Sequence, residues 1–153
     1  MKTVLSYLQP TKVREVNMMH SQRTTIVIAI AAILFGAATV LSGGRALFGS
    51  PEVQAGLGRT VPFVLWFNFI AGFLYVFAGA GLWLRRPWAV PLSLLVAVAT
   101  IVVFAAFGLY VLNGGAFEMR TVGALAFRAL FWVAAAIVAR HLLQDPGNGR
   151  LRP

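Results

Sequence analysis

The chain has no cysteine among its 153 residues, which excludes disulfides, thiolate metal sites and thiol catalysis and leaves no mark of a redox compartment. Acidic residues are nearly absent as well. Asp and Glu number 4 in total (Glu15, Glu52, Glu118 and Asp145), and none lies inside an apolar run. A proton-coupled transporter of the small multidrug kind needs a titrating acid within its helices, so that mechanism is disfavoured. The 2 histidines, His20 and His141, flank the first and last apolar runs, where neither paired-histidine haem ligation nor chlorophyll ligation fits. There is no HExxH, no glycine-rich phosphate loop and no Ser/His/Asp set. The expectation is a non-enzymatic protein with no metal and no resident cofactor, leaving bound lipid or quinone as the small molecules still open.

What is abundant is apolar surface. The composition is 59% hydrophobic and 11% charged, with a mean hydropathy of +0.82, too apolar for an ordinary soluble domain. Four runs reach the roughly 20 residues that a helix needs to cross a hydrocarbon core: 25–43, 61–84, 90–113 and 120–140. The predicted class is therefore all-α, an integral membrane four-helix bundle occupying residues 24–140. Glycine and proline punctuate it. Gly43-Gly44 and Gly114-Gly115 read as stops after the first and third runs, and Pro146-Gly147 as a stop beyond the fourth. Pro62, Pro87 and Pro91 lie at or before helix starts, where a missing N–H costs little.

The flanks complete the layout. Residues 1–23 form an N-terminal segment in which Thr11 caps a short surface helix through Met19; Met18 and Met19 are alternative starts for the chain. The first apolar run is about twice the length of a signal-peptide core, so it reads as a retained span. Ser50-Pro51-Glu52 has N-cap, N1 and acidic first-turn chemistry for a short helix. Residues 141–153 form a tail.

The net charge of +9 is spread over short segments between the apolar runs, with no continuous stripe for a phosphate backbone, so nucleic acid is not an expected partner. It reads as a topology signal instead. Lys2, Lys12, Arg14, Arg23, Arg85, Arg86, Arg140, Arg150 and Arg152 fall on one side of the membrane; Arg45, Arg59 and Arg120 fall on the other. The positive-inside rule then puts both termini in the cytoplasm of a multi-pass protein.

At about 100° per residue, Asn68, Gly72, Tyr75 and Gly79 share one stripe of the second span, opposite Phe63, Trp66, Ile70, Phe73 and Phe77. Small residues let helix backbones approach in lipid. Gly36, Gly72, Gly79 and Gly108 are accordingly the candidate packing positions. The bulky stripe is either an ordinary lipid-facing surface or a docking face for a larger membrane protein.

Arg128 is the one charge inside a span. It lies eight residues past Arg120, and Asn68 lies seven past Val61, which sets both roughly 10–12 Å below the outer boundary at the helical rise. The candidate polar cluster is Arg128, Asn68, Tyr75, Tyr110 and Glu118, with Trp132 one turn away as a cation–π partner. Three roles fit Arg128: an interhelical clamp, an anion or polar-ligand site, and a salt bridge to a partner subunit.

Residues 66–83 (WFNFIAGFLYVFAGAGLW) and 113–132 (NGGAFEMRTVGALAFRALFW) resemble signature regions of a group of short bacterial four-helix membrane proteins with no established activity. The resemblance runs from the first span to the fourth. Asn68, the turn at residues 114–118 and Arg128 all match its pattern. It implies a bacterial inner membrane and no mechanism. Three functions follow as expectations: an accessory or structural subunit of a larger membrane complex, a small channel or carrier for an anionic or polar solute using Arg128, or a quinone- or lipid-pocket subunit of a redox complex.

Overall fold

The computed structural model describes residues 2–143, and the side chains of residues 23–140. The described chain is helical: α1 (Lys2–Phe48), α2 (Pro51–Gly56), α3 (Pro62–Trp83), α4 (Ala89–Leu112) and α5 (Met119–Leu143). Four stretches are long and apolar enough to span a membrane: Arg23–Phe48, Pro62–Trp83, Ala89–Leu112 and Met119–Arg140. The last three agree with the expected spans to within a residue at each end. The tail expected from 141 begins within α5, and residues 144–153 lie outside those described.

The first helix departs from expectation at both ends. No separate surface helix stands at residues 11–19, because α1 runs unbroken from Lys2 into the span. Nothing between Met19 and Thr25 is a glycine or proline that would stop it. Its 47 residues extend about 70 Å, more than twice a hydrocarbon core of about 30 Å. At the other end Gly43-Gly44 does not terminate the helix, which continues to Phe48. A Cβ on Gly43 would lie 3.2 Å from that of Phe69, so this glycine serves interhelical approach. The break comes at Ser50, extended with ψ 160, followed by Pro51 at the first position of α2 and Glu52 in its first turn. The Ser50 hydroxyl, and then the backbone N–H of Glu52 itself, hold the Glu52 carboxyl below the usual carboxylate range.

The α3 and α4 ends close in one way with different residues. Gly115 N–H reaches the Tyr110 carbonyl at 3.0 Å after Gly114 at φ +82; Arg86 N–H reaches Gly81 at 2.8 Å after Arg85 at φ +51. A left-handed residue at this point is the Schellman closure, and glycine takes it without a Cβ clash. Arg85 takes it with one.

Contacts run α1 to α3, α3 to α4, α4 to α5 and, more lightly, α5 to α1. The α1/α3 pair is the most extensive. A Cβ on Gly36 would fall 2.8 Å from the Gly72 carbonyl oxygen, and one on Gly79 would fall 2.9 Å from that of Ala29, so the backbones themselves touch. Gly108 corrects the expectation: a Cβ there meets nothing within 4 Å. Small residues on the other helices are buried too, with Ala29, Ala32 and Thr39 on α1, Ser93, Ala97 and Thr100 on α4, and Ala135 and Ala139 on α5.

Candidate functional site

The central layer draws one side chain from each spanning helix: Phe35 on α1, Tyr75 on α3, Thr100 on α4 and Trp132 on α5. Tyr75, Thr100 and Trp132 are fully buried. The Tyr75 ring stacks on Phe35 with centroids 5.7 Å apart and planes at 6°, and meets Trp132 at 4.8 Å. Alanines frame the layer, with Ala32, Ala71, Ala78, Ala97 and Ala135 in the same cluster. Small neighbours are what make room for two large rings at the axis.

Arg128 lies one turn outward of Trp132 on α5. Its guanidinium carbon sits 5.4 Å from the Phe35 centroid, and Phe127 and Phe131 pack edge-on and tilted around the same ring at 5.6 Å. The cation–π partner is therefore Phe35, not the expected Trp132, whose ring is taken by Tyr75 and Phe131. Inserting an arginine into a membrane helix costs roughly 2.5–3.5 kcal/mol, and a desolvated cation–π contact returns about 2 kcal/mol. One ring nearly accommodates the charge.

The clamp expected between Arg128 and Asn68 is not formed. Asn68 Oδ1 and Arg128 Nε are both buried without a hydrogen-bond partner. The reason is azimuthal. α5 packs against α4 and α1, whereas α3 stands across the group from it, and the short Asn68 side chain does not bridge that diagonal. The large rings of Tyr75 and Trp132 do.

Tyr110 and Glu118 belong to a different place. Along α5, Met119 and Arg128 are separated by about 13 Å, and Glu118 is occupied at the Met119 end of that distance. Its Oε1 accepts the Arg59 N–H at 3.1 Å. Gly58, at φ +73, gives it room, since a Cβ there would lie 2.7 Å from the same oxygen. Arg120 donates to the Leu57 carbonyl, and the Tyr110 hydroxyl donates to the Ala116 carbonyl at 3.3 Å. Glu118 and Arg120 fasten the α2–α3 loop to the α4–α5 turn and the start of α5, and Tyr110 fastens α4 to the same turn. They cover an apolar cluster of Val61, Val64, Phe107 and Leu125.

Among the described residues, five buried polar side-chain atoms have no hydrogen-bond partner: Asn68 Oδ1, Tyr75 Oη, Ser93 Oγ, Arg128 Nε and Trp132 Nε1. Thr100 lies beside the Tyr75 hydroxyl, but its own hydroxyl donates to the Val96 carbonyl at 2.8 Å. Arg128 Nε and Trp132 Nε1 only donate, so the layer offers donors to an acceptor-rich group. Surface grooves run along α4/α5 and beside Phe69, and none of these is lined by Arg128, Tyr75 or Trp132. The sequence missed Phe35, although it is the sole aromatic in 25–43. That singularity was the available signal.

The bulky stripe of α3 is exposed along its whole length, with Phe63 at 41%, Trp66 at 48%, Ile70 at 56%, Phe73 at 46% and Phe77 at 62%. Edge-to-face contacts bind its rings into a ladder: Phe48 to Trp66 at 6.0 Å, Trp66 to Phe69 at 6.3 Å and Phe69 to Phe73 at 5.3 Å. The ladder holds Trp66 and Phe73 in fixed orientations on the outer face.

No protein-family model, curated protein or solved structure matches this chain.

Proposed function

We propose that this chain is a non-enzymatic accessory subunit, packed by the outer face of α3 against an apolar transmembrane helix of a larger complex in a bacterial inner membrane. In this reading the four spans form one bundle with both termini in the cytoplasm, as the distribution of Lys and Arg favours. The observation that carries it is the ladder of Trp66, Phe69 and Phe73 on an exposed face. Rigid aromatic rings lose little side-chain entropy on docking, which suits them to helix recognition better than flexible aliphatic chains. The interior polar groups support the same reading, because Arg128 faces Phe35 and Glu118 and Arg120 serve loop contacts.

The test is a photo-cross-linking residue at Phe73, compared with one at Leu130, which is 73% exposed on α5. The expected result is one discrete protein adduct from Phe73 and only lipid adducts from Leu130, with the partner released by a combined Trp66→Ala and Phe73→Ala change. Lipid adducts alone from both positions, together with a lone 16.5 kDa species in mild detergent, would sink the proposal.

The alternative is a carrier or channel for an anionic or polar solute with Arg128 as the selecting charge, and the donors Arg128 Nε and Trp132 Nε1 favour it. It fits less well. A path past Arg128 requires the Phe35, Tyr75 and Trp132 rings to part. Liposome flux that Arg128→Met abolishes without unfolding the protein would restore it.

A further inference from the structure

The groove between α4 and α5 at their Val90 and Arg140 ends carries an inference that is independent of any partner protein. Ala97 and Ala136 make its floor, and branched residues, among them Leu94, Val98 and Ile137, make its walls. A small residue on each helix at the same level leaves a slot where larger ones would have met. Its volume is about 190 Å³. A helix is roughly 10 Å across with its side chains and does not enter such a slot, whereas a single alkyl chain does.

Length and charge say which alkyl chain. From Val90 to Ile101 the groove follows α4 for about 16 Å at the helical rise, which is the depth of one leaflet, half of a hydrocarbon core of about 30 Å. Arg140 lines the end that meets the membrane surface. Ala89 and Val90 pack with Ala139 and Leu82, so Arg85 and Arg86 of the α3–α4 connection lie at that same surface. The groove at the opposite end of α4/α5, lined by Phe104, Phe107, Gly108 and Phe117 among others, has no basic residue in its lining. Within the α4/α5 pair, alkyl slot and cation coincide at the Arg140 end only; the groove beside Phe69 also has an arginine, Arg45, but lies between α1 and α3.

We propose that the Val90–Arg140 groove binds one acyl chain of an anionic phospholipid, with the lipid phosphate held by the Arg140 guanidinium. Arginine recognises a phosphate through two N–H groups at once, which a choline headgroup beside the phosphate weakens by its own positive charge. The anionic lipid is therefore the preferred occupant.

Native mass spectrometry of the purified full chain, titrated separately with phosphatidylglycerol and phosphatidylcholine of the same acyl chains, tests this. The wild type is expected to retain phosphatidylglycerol about fivefold better, the worth of one basic residue at a membrane surface. Arg140→Gln brings the ratio to about one. Ala136→Leu, which fills the floor, lowers retention of both lipids, while Gly108→Leu in the opposite groove leaves the ratio as in the wild type. A wild-type ratio near one, or an unchanged ratio in Arg140→Gln, overturns the proposal. So does wild-type retention in a folded Ala136→Leu protein. Arg140 is exposed, and its substitution decides the matter by itself if Ala136→Leu does not fold.

Discussion

The α1/α3 and α4/α5 interfaces solve one problem in two ways. Between α1 and α3 the backbones touch, with Gly36 against Gly72 and Gly79 against Ala29. Between α4 and α5 the contact is made by side chains, Gly108 faces open space, and grooves remain at both ends. Lipid tails are as apolar as leucine, so no hydrophobic force drives either pair together; dispersion and shape must do it. Backbone approach maximises dispersion and closes the seam at Gly36, Gly72 and Gly79, so that a groove opens only past Val40, beside Phe69. Side-chain packing over alanines leaves slots open at the surface. The difference separates a pair closed along most of its length from a pair with a groove at each end.

The sharpest way to break that comparison is to add a Cβ on each side. Gly72→Val places carbon atoms where Val40 already sits at 2.8 Å and should lower stability by about 2–3 kcal/mol. Gly108→Ala should leave it unchanged or raise it by up to about 1 kcal/mol through helix propensity. Reversible unfolding in mixed micelles, followed by far-ultraviolet circular dichroism, measures both. Equal losses would erase the distinction between the interfaces.

The α1/α5 seam is the next lever. Phe35→Ala removes a half-buried ring and uncovers Arg128, for an expected loss of about 2–3 kcal/mol, somewhat below the range for a fully buried phenylalanine. In an Arg128→Met background the same change should cost about 1–2 kcal/mol less, since the cation–π contact is already gone. A double-mutant cycle reads this directly. Zero coupling would mean that Phe35 supports only the core layer.

Smaller effects sharpen the comparison at the helix ends. Arg85→Gly relieves a left-handed non-glycine residue and should stabilise the α3–α4 turn by about 1 kcal/mol, whereas Gly114→Ala at the α4–α5 turn should cost about as much. Both are read by the same unfolding assay. The smallest effect concerns pH. The folded-state pKa of Glu52 is depressed, so the support it lends α2 is present above the ordinary glutamate value of about 4.3 and fades as pH falls through the lower folded value. An NMR titration should place its midpoint below that of the free side chain, and Ser50→Ala should move it back up.

Spans, helix ends and faces were legible in the sequence because each depends on local order along one helix. Phe63 through Phe77 recur at helical spacing, and Pro62 and Gly114 punctuate at fixed offsets. Gly43 was misread for the same reason: a glycine looks alike whether it ends a helix or admits a neighbour, and only Phe69 pressed against it tells which. Gly108 is the converse, a packing residue by spacing with no neighbour to pack.

By itself the sequence determined that four helices are long and apolar enough to span a membrane, and set the depth of each residue within them, because rise per residue is a property of a single chain. It led to the expectation of Arg128 and Asn68 at one level, whereas from the Tyr75/Trp132 contact Asn68 lies seven residues away along α3 and Arg128 four along α5. Which way each helix turns around its axis, and which helix stands beside which, are properties of pairs. Tertiary structure therefore decided that Arg128 meets Phe35 across the α1/α5 seam, that Asn68 stays across the diagonal, and that Glu118 belongs with the α2–α3 loop.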